Sequence, residues 1–192
     1  MTKERLTAFT DGVVAIIITI MVLELKAPND ASWAALGKVL PVFLSYVLSF
    51  VYVAIYWNNH HHLMQTCAKV NGTILWANMH LLFWISLIPF ATAWMGDNHF
   101  AQQPTALYGL ALLLPSIAYY LLQFAIMRHQ GQDSTLAKAL GSDFKGKISP
   151  VLYLAAIAFA FVLPPVSYAI YIGVALMWLI PDRRIESILS ER

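Results

Sequence analysis

Histidines and one carboxylate are the ionisable side chains that stand out beside or within the long apolar runs of the sequence. Asp11 lies near the start of the first run, His60, His61 and His62 follow the second, and His80 lies inside the third. A charge in a membrane helix costs several kcal/mol, so it usually faces protein or water and has a partner. Helices that alternate in direction bring these groups to a similar depth, where contact is possible.

Two kinds of site are compatible with this cluster. In a structural polar network, Asp11 would accept hydrogen bonds from a histidine or from Arg5 and fix the first helix against its neighbours. A haem- or metal-binding redox subunit would use the His60–His62/His80 cluster, with histidines from two helices as in an axial haem pair. The sequence has no CxxCH or HExxH motif, and a proton relay would lack a second acid. The residues favour the structural network.

The first apolar run also carries a hydroxyl, Thr19, among isoleucines. At 100° per residue, Ile16, Thr19, Ile20 and Leu23 lie on one face of a helix, within about 100° of each other. Asp11 points away from this face. Such a stripe is typical of packing against neighbouring helices, and a threonine there commonly bonds back to its own backbone. From the residues alone, packing is the favoured interpretation.

The composition places these residues in a membrane protein. Hydrophobic residues make up 59% of the 192 residues and charged residues 11%, whereas soluble domains carry roughly 25% charged residues. The net charge of +2 is too small to indicate a nucleic-acid partner. The sequence lacks GxSxG, Walker, GxGxxG and paired-carboxylate patterns, so no enzyme and no catalytic residue is predicted. A TVGYG-type potassium filter is also missing.

The apolar runs predict an all-α integral membrane protein, a single domain over 1–192 with six transmembrane helices. A helix needs about 20 apolar residues to cross the hydrocarbon core. The predicted spans are 9–25, 39–57, 74–94, 106–127, 148–163 and 166–180. The last two are separated at Pro164 and Pro165, which remove two backbone donors and so predict a turn.

The basic residues favour six spans over five. With six spans, one side of the membrane holds ten of the twelve lysines and arginines. These ten are Lys3, Arg5, Lys69, Arg128, Lys138, Lys145, Lys147, Arg183, Arg184 and Arg192. Only Lys26 and Lys38 fall on the opposite side. By the positive-inside rule, both termini are expected to be cytoplasmic.

Three segments in the first half of the chain carry a resemblance to a known family. RLTAFTD at 5–11 contains an R-x-x-x-F-[ST]-D pattern, WNNHH at 57–61 contains W-x-x-H, and ANMHLLFWISLIPFAT at 77–92 follows. Together they resemble the lysosomal potassium channel family known as transmembrane protein 175, which includes short bacterial members. The family has serine where this chain has Thr10. The signature residues implied are Arg5, Phe9, Thr10, Asp11, Trp57, His60 and Asn78.

The resemblance implies a different role for the stripe on the first helix. In this family the first helix lines a central pore without a re-entrant filter loop, and bacterial members with one six-helix unit assemble as tetramers. An apolar residue five positions after the signature aspartate forms the narrow point, and a threonine three positions later adds a polar layer. These positions are Ile16 and Thr19, and Ile20 and Leu23 continue the ion pathway.

The function implied is a potassium-preferring cation channel, a homotetramer that conducts passively across the bacterial inner membrane. Its partners would be the lipid bilayer, K⁺ and other monovalent cations, with no cofactor and with K⁺ transiently near Thr19. Selectivity is expected to be modest, because four hydroxyls cannot replace a full hydration shell as stacked carbonyls do. Asp11 is expected to orient the pore helix through Arg5 or His60, with Thr10 in the same network.

Overall fold

The computed structural model describes residues 2–131 and 144–179, and these form eight helices. The all-α prediction is confirmed. The helices are α1 (Lys3–Leu23), α2 (Trp33–Lys38), α3 (Leu40–Thr66), α4 (Gly72–Ile85), α5 (Ile88–Asp97), α6 (Gln102–Gln130), α7 (Phe144–Ala160) and α8 (Pro164–Leu179).

Four segments are long and apolar enough to cross a membrane, namely Lys3–Leu23, Leu40–Thr66, Gly72–Asp97 and Gln102–Gln130. The third combines α4 and α5, which are separate because Pro89, near the start of α5, has no N–H to continue the hydrogen bonding of α4. α7 and α8 have 17 and 16 residues, or about 25 Å of helix each. The predicted turn at the proline pair divides them.

The predicted end of the second span was wrong, and one short helix was not predicted. α3 continues to Thr66, well past the expected end at 57, so the three histidines lie inside the helix rather than after it. The polar side chains there are compatible with helix, since Asn59 Nδ2 donates to the Ile55 carbonyl at 2.8 Å. In the predicted loop after the first span, α2 forms because the Ser32 hydroxyl caps it by accepting from the Ala35 N–H at 3.2 Å.

Consecutive spans run antiparallel around a central α6. α6 packs against α4, α5, α7 and α8, whereas α1 lies at the side against α3, α4 and α5. Asn71 at the start of α4 hydrogen-bonds to His129 near the end of α6 (3.1 Å). One end of the bundle therefore carries the basic residues Lys3, Arg5, Lys69, Arg128, Lys145 and Lys147. Ile180, Lys138, Arg183, Arg184 and Arg192 lie outside the described residues.

A close helix crossing joins α5 to α3. A methyl group added at Gly96 would lie 2.7 Å from Cα of Val42 and 2.6 Å from the Ser45 hydroxyl oxygen. No real methyl group sits that near a backbone atom, so this crossing requires glycine. The crossing fixes α3, the helix against which the N-terminal half of α1 packs.

Candidate ion pathway and its supporting network

α1 has a buried face and an exposed face. The buried side chains recur at helical spacing and are Leu6, Thr10, Val14, Ile17 and Met21. The opposite side carries the predicted pathway residues: Ile16 is 59% exposed and Leu23 is 76% exposed, and Thr19 and Ile20 are exposed beside them. The four residues thus share one face, as the periodicity predicted.

The exposed face contradicts the interpretation that this stripe packs inside the chain. A membrane helix that leaves one apolar face uncovered presents it to lipid or to another copy of the protein. The exposed face formed by Ile16, Thr19, Ile20 and Leu23 is therefore available to line an ion path between several copies of the chain.

The Thr19 hydroxyl has a defined orientation. Its Oγ1 donates to the Ile16 carbonyl at 2.8 Å, which confirms the predicted back-bond to the helix. Because the proton is directed at the backbone, the oxygen lone pairs face outward from the helix. The group therefore presents an acceptor, the kind of atom that can replace a water molecule around a cation.

A buried hydrogen-bond chain supports the back of α1. His60 Nε2 lies 2.7 Å from Asn78 Oδ1, and Asn78 Nδ2 donates to Thr10 Oγ1 at 2.9 Å. All three side chains are buried. Because the Asn78 oxygen can only accept, His60 carries its proton on Nε2. α1, α3 and α4 are joined here at one point, and Thr10 and His60 meet through Asn78 and not through Asp11.

Asp11 has a partner that the sequence analysis did not predict. Trp57 Nε1 donates to Asp11 Oδ1 at 2.8 Å, so the carboxylate is held by Trp57 and not by Arg5 or His60. Arg5 and Phe9 are exposed on α1, and the Arg5 guanidinium makes no hydrogen bond with the described residues. The predicted partners of Asp11 were therefore wrong. An orienting role stays a prediction, and the bond to Trp57 is compatible with it because it links α1 to α3.

Trp57→Phe is expected to destabilise the protein by about 1 kcal/mol, the usual worth of one hydrogen bond. Asp11→Asn keeps an acceptor oxygen and should cost less. In the double variant the two losses should not add, since they remove the same bond. Thermal unfolding in detergent measures this, with the exposed Trp76→Phe as control. Additive losses in the double variant would contradict the pairing.

His60 and His80 do not share a site. Asn78, which bonds to His60, and His80 are two positions apart on α4, or about 200° around the helix. The His80 side chain is exposed, and its Nε2 accepts from Trp84 Nε1 at 2.8 Å. The two histidines therefore point to different sides of α4.

The neighbouring histidines do not complete a metal centre either. His61 Nε2 pairs with the amide of Gln65 at 2.9 Å, and the ring of His61 meets that of His62 edge to face. Over residues 2–131 and 144–179 no group of three or more metal-ligating side chains is present. His60, His61 and His80 each bond to a different side chain, so the described residues do not gather the His60–His62/His80 cluster around one site.

Sequence analysis missed a second buried polar cluster in the other half of the bundle. Thr92 Oγ1 donates to Ser49 Oγ at 2.7 Å, and Ser49 Oγ lies 2.9 Å from the Tyr108 hydroxyl. This cluster joins α3, α5 and α6. In the sequence, this cluster shows only as isolated hydroxyl side chains within apolar runs. Such hydroxyls often bond to the backbone of their own helix, so the sequence does not predict which side chains they meet.

A family model matches the part of the chain that contains this site. Residues 5–89 match the family described as endosomal/lysosomal potassium channel TMEM175. This range holds nearly all of α1 and the whole of α2, α3 and α4. It therefore contains the exposed stripe of α1, the Thr10–Asn78–His60 chain and the Asp11–Trp57 pair.

Curated relatives include bacterial and animal proteins. A potassium channel of Chryseobacterium sp. (strain P1-3) is 58% identical over 191 residues, which is 100% of each chain. A potassium channel of Chamaesiphon minutus is 28% identical over 172 residues, 82% of this chain and 84% of the relative. The endosomal/lysosomal proton channel TMEM175 of Rattus norvegicus is 34% identical over 116 residues, which is 54% of this chain and 23% of the rat protein.

A solved structure has a similar fold. It is the crystal structure of a lysosomal potassium-selective channel TMEM175 homolog from Chamaesiphon minutus, with a TM-score of 0.83 and 26% sequence identity. The match covers 94% of this chain and 97% of the other. The likeness therefore extends beyond residue 89 into α6, α7 and α8.

Proposed function

This chain belongs to the TMEM175 family of potassium channels, and on that premise we propose that it is a potassium-preferring cation channel. The observation that carries the proposal is the exposed face of α1, on which an outward-facing Thr19 oxygen lies among apolar side chains. One copy cannot enclose an ion with a single helix face. The pathway therefore forms where several copies bring this face to a common axis.

Four copies form the pore, in closed cyclic symmetry, the usual arrangement of homo-oligomers. Ile16 makes the narrow hydrophobic ring, Thr19 makes the polar layer beside it, and Ile20 and Leu23 continue the path. The whole chain acts as one six-span domain in the bacterial inner membrane, with α7 and α8 as the fifth and sixth spans. Both termini are cytoplasmic, since the basic end of the bundle faces inward. No cofactor and no catalytic residue is needed.

Native mass measurement of the detergent-solubilised protein is expected to give a tetramer. Chemical crosslinking in intact membranes checks that detergent has not changed the assembly. A monomer or dimer in both measurements would contradict the proposed pore, because two exposed α1 faces cannot surround an ion.

Purified protein in liposomes is expected to carry K⁺ faster than Na⁺ in the absence of any energy source. Proton flux is measured in the same vesicles with a trapped pH dye, because the rat relative is named a proton channel. Protein-free vesicles are the control. Proton flux without K⁺ flux, or no flux of any ion, would contradict the proposal.

Thr19→Val is expected to reduce the preference for K⁺ over Na⁺ and leave the tetramer intact. The change removes the outward oxygen at nearly constant shape, so a partly dehydrated cation loses its replacement ligand there. Thr19→Ser keeps that oxygen and should retain the preference. Reversal potentials under bi-ionic conditions measure both variants, and an unchanged preference in Thr19→Val would remove Thr19 from the pathway.

A further inference from the structure

Gly12 has no structural explanation within a single copy of the chain. It lies near the middle of α1, where glycine is the least favourable residue after proline. A methyl group added there would meet nothing within 4 Å, whereas one added at Gly96 would meet the backbone of α3. The φ angle of Gly12 is not in the left-handed range that favours glycine. Neither packing nor backbone conformation in one copy therefore requires this glycine.

Gly12 belongs to the exposed face of α1 that carries the proposed ion pathway. It precedes Ile16 by four residues, which places the two positions about 40° apart around the helix. In projection along the helix axis, Gly12 lies between Leu23 and Thr19. The residue is exposed, as those two are. Its missing side chain is therefore missing from the pathway face.

Bulky side chains lie on both sides of Gly12 along this face. Phe9 is 47% exposed and Ile16 is 59% exposed, and the two are about 20° apart with about 10 Å of helix between them. The face therefore has a recess between Phe9 and Ile16. A helical side chain covers the turn that precedes its own Cα, so Gly12 leaves the backbone of that turn uncovered. Carbonyl oxygens bonded within a helix keep a second lone pair, which water can reach in this recess.

On the premise of the proposed channel function, we propose that Gly12 forms a chamber that holds a hydrated K⁺ beside the Ile16 ring. Four copies place four recesses around the axis at one level, so the path is wider there than at Phe9 or Ile16. The ion keeps its water in the chamber, and those water molecules donate to the uncovered carbonyl oxygens. Dehydration is then confined to the Ile16 ring, with Thr19 as the next polar layer. Gly12 thus fixes where along α1 the ion sheds water.

Gly12→Cys tests for water at this position without measuring ion flux. The probe is a permanently charged methanethiosulfonate, which modifies a thiolate in water and does not enter lipid. It is added to both sides of vesicles that hold the full-length protein, and the intact mass counts the modified cysteines. The native Cys67 is buried, so the unaltered protein gives the background. Gly12→Cys is expected to gain one modification per chain.

Gly173→Cys is the matched control. Gly173 is also an exposed glycine inside a helix, with nothing within 4 Å of an added methyl group. It lies on α8, which packs against α3, α6 and α7. Gly173→Cys should stay at the background because it faces lipid. Equal modification of both variants, or none at Gly12→Cys, would overturn the chamber.

A size series at Gly12 separates a chamber from a flexible joint in α1. Gly12→Ala adds one methyl group and should keep K⁺ flux within about twofold, whereas Gly12→Leu fills the recess and should lower it by about tenfold or more, since the ion then loses water over two turns. Gly173→Leu should leave the flux unchanged. An equal loss in Gly12→Ala and Gly12→Leu would overturn the chamber, because a joint is lost with any side chain.

Failure of the chamber and failure of the channel give different results. A conducting protein in which Gly12→Cys is not modified contradicts the chamber and leaves the channel function in place. An unaltered protein without K⁺ flux contradicts the channel function, whatever the modification at Gly12→Cys.

Discussion

Ile16→Asn is expected to raise K⁺ flux through reconstituted channels by about tenfold or more and to reduce discrimination among cations. An ion that passes a ring of isoleucines must shed water without a polar replacement, which costs several kcal/mol for an unpaired charge. Asparagine supplies amide dipoles at this point. Because each 1.4 kcal/mol removed from a barrier is a factor of ten in rate, even partial compensation gives a large effect.

The structure selects the control for this experiment. Ile17, the next residue, is only 3% exposed, so Ile17→Asn would place an amide in the core and confuse misfolding with conduction. Val22 is a better control, because it is 43% exposed and lies about 120° around the helix from Ile16. Flux from liposomes with matched protein content compares the two. If Val22→Asn raises flux and Ile16→Asn does not, the pore face is misassigned.

Asn78→Leu is expected to cause the largest loss of stability among the variants considered. The change keeps the side-chain size but leaves His60 Nε2 and Thr10 Oγ1 buried without the partners seen at 2.7 and 2.9 Å. Each unsatisfied buried group costs about 1–3 kcal/mol, so the expected total is about 2–6 kcal/mol. Thermal unfolding and the yield of assembled protein in detergent measure the loss.

Two comparisons make the Asn78 prediction specific. Asn29→Leu makes the same exchange in the exposed loop before α2 and should change stability by less than about 0.5 kcal/mol. In the Asn78→Leu background, Thr10→Val should cost little more, since the hydrogen bond of Thr10 is already lost. A fully additive effect of Thr10→Val would mean that Thr10 and Asn78 act separately.

Four of the six predicted spans and the two faces of α1 were predictable because they follow from local rules. Apolar runs of about 20 residues can satisfy their backbone in a bilayer only as helices, and the 3.6-residue period placed Ile16, Thr19, Ile20 and Leu23 together. The proline pair also marked the turn before α8, because its missing N–H groups act locally. The error at the end of α3 arose because the polar residues there are as compatible with helix as with loop. The error at α2 arose because six residues are too few to show a helical apolar period.

Which side chains meet across the bundle was decided by tertiary structure. The sequence placed Asp11 and the histidines near one depth, but a helix rotated by one residue moves each side chain by about 100°. Close packing of α1 on α3, α4 and α5 fixes that rotation. As a result, Asp11 accepts a hydrogen bond from Trp57, and Asn78 bonds to both His60 and Thr10. The same rotation directs His80 away from these residues and leaves Ile16 exposed. Periodicity defines a face of a helix, and only packing against other helices determines what that face meets.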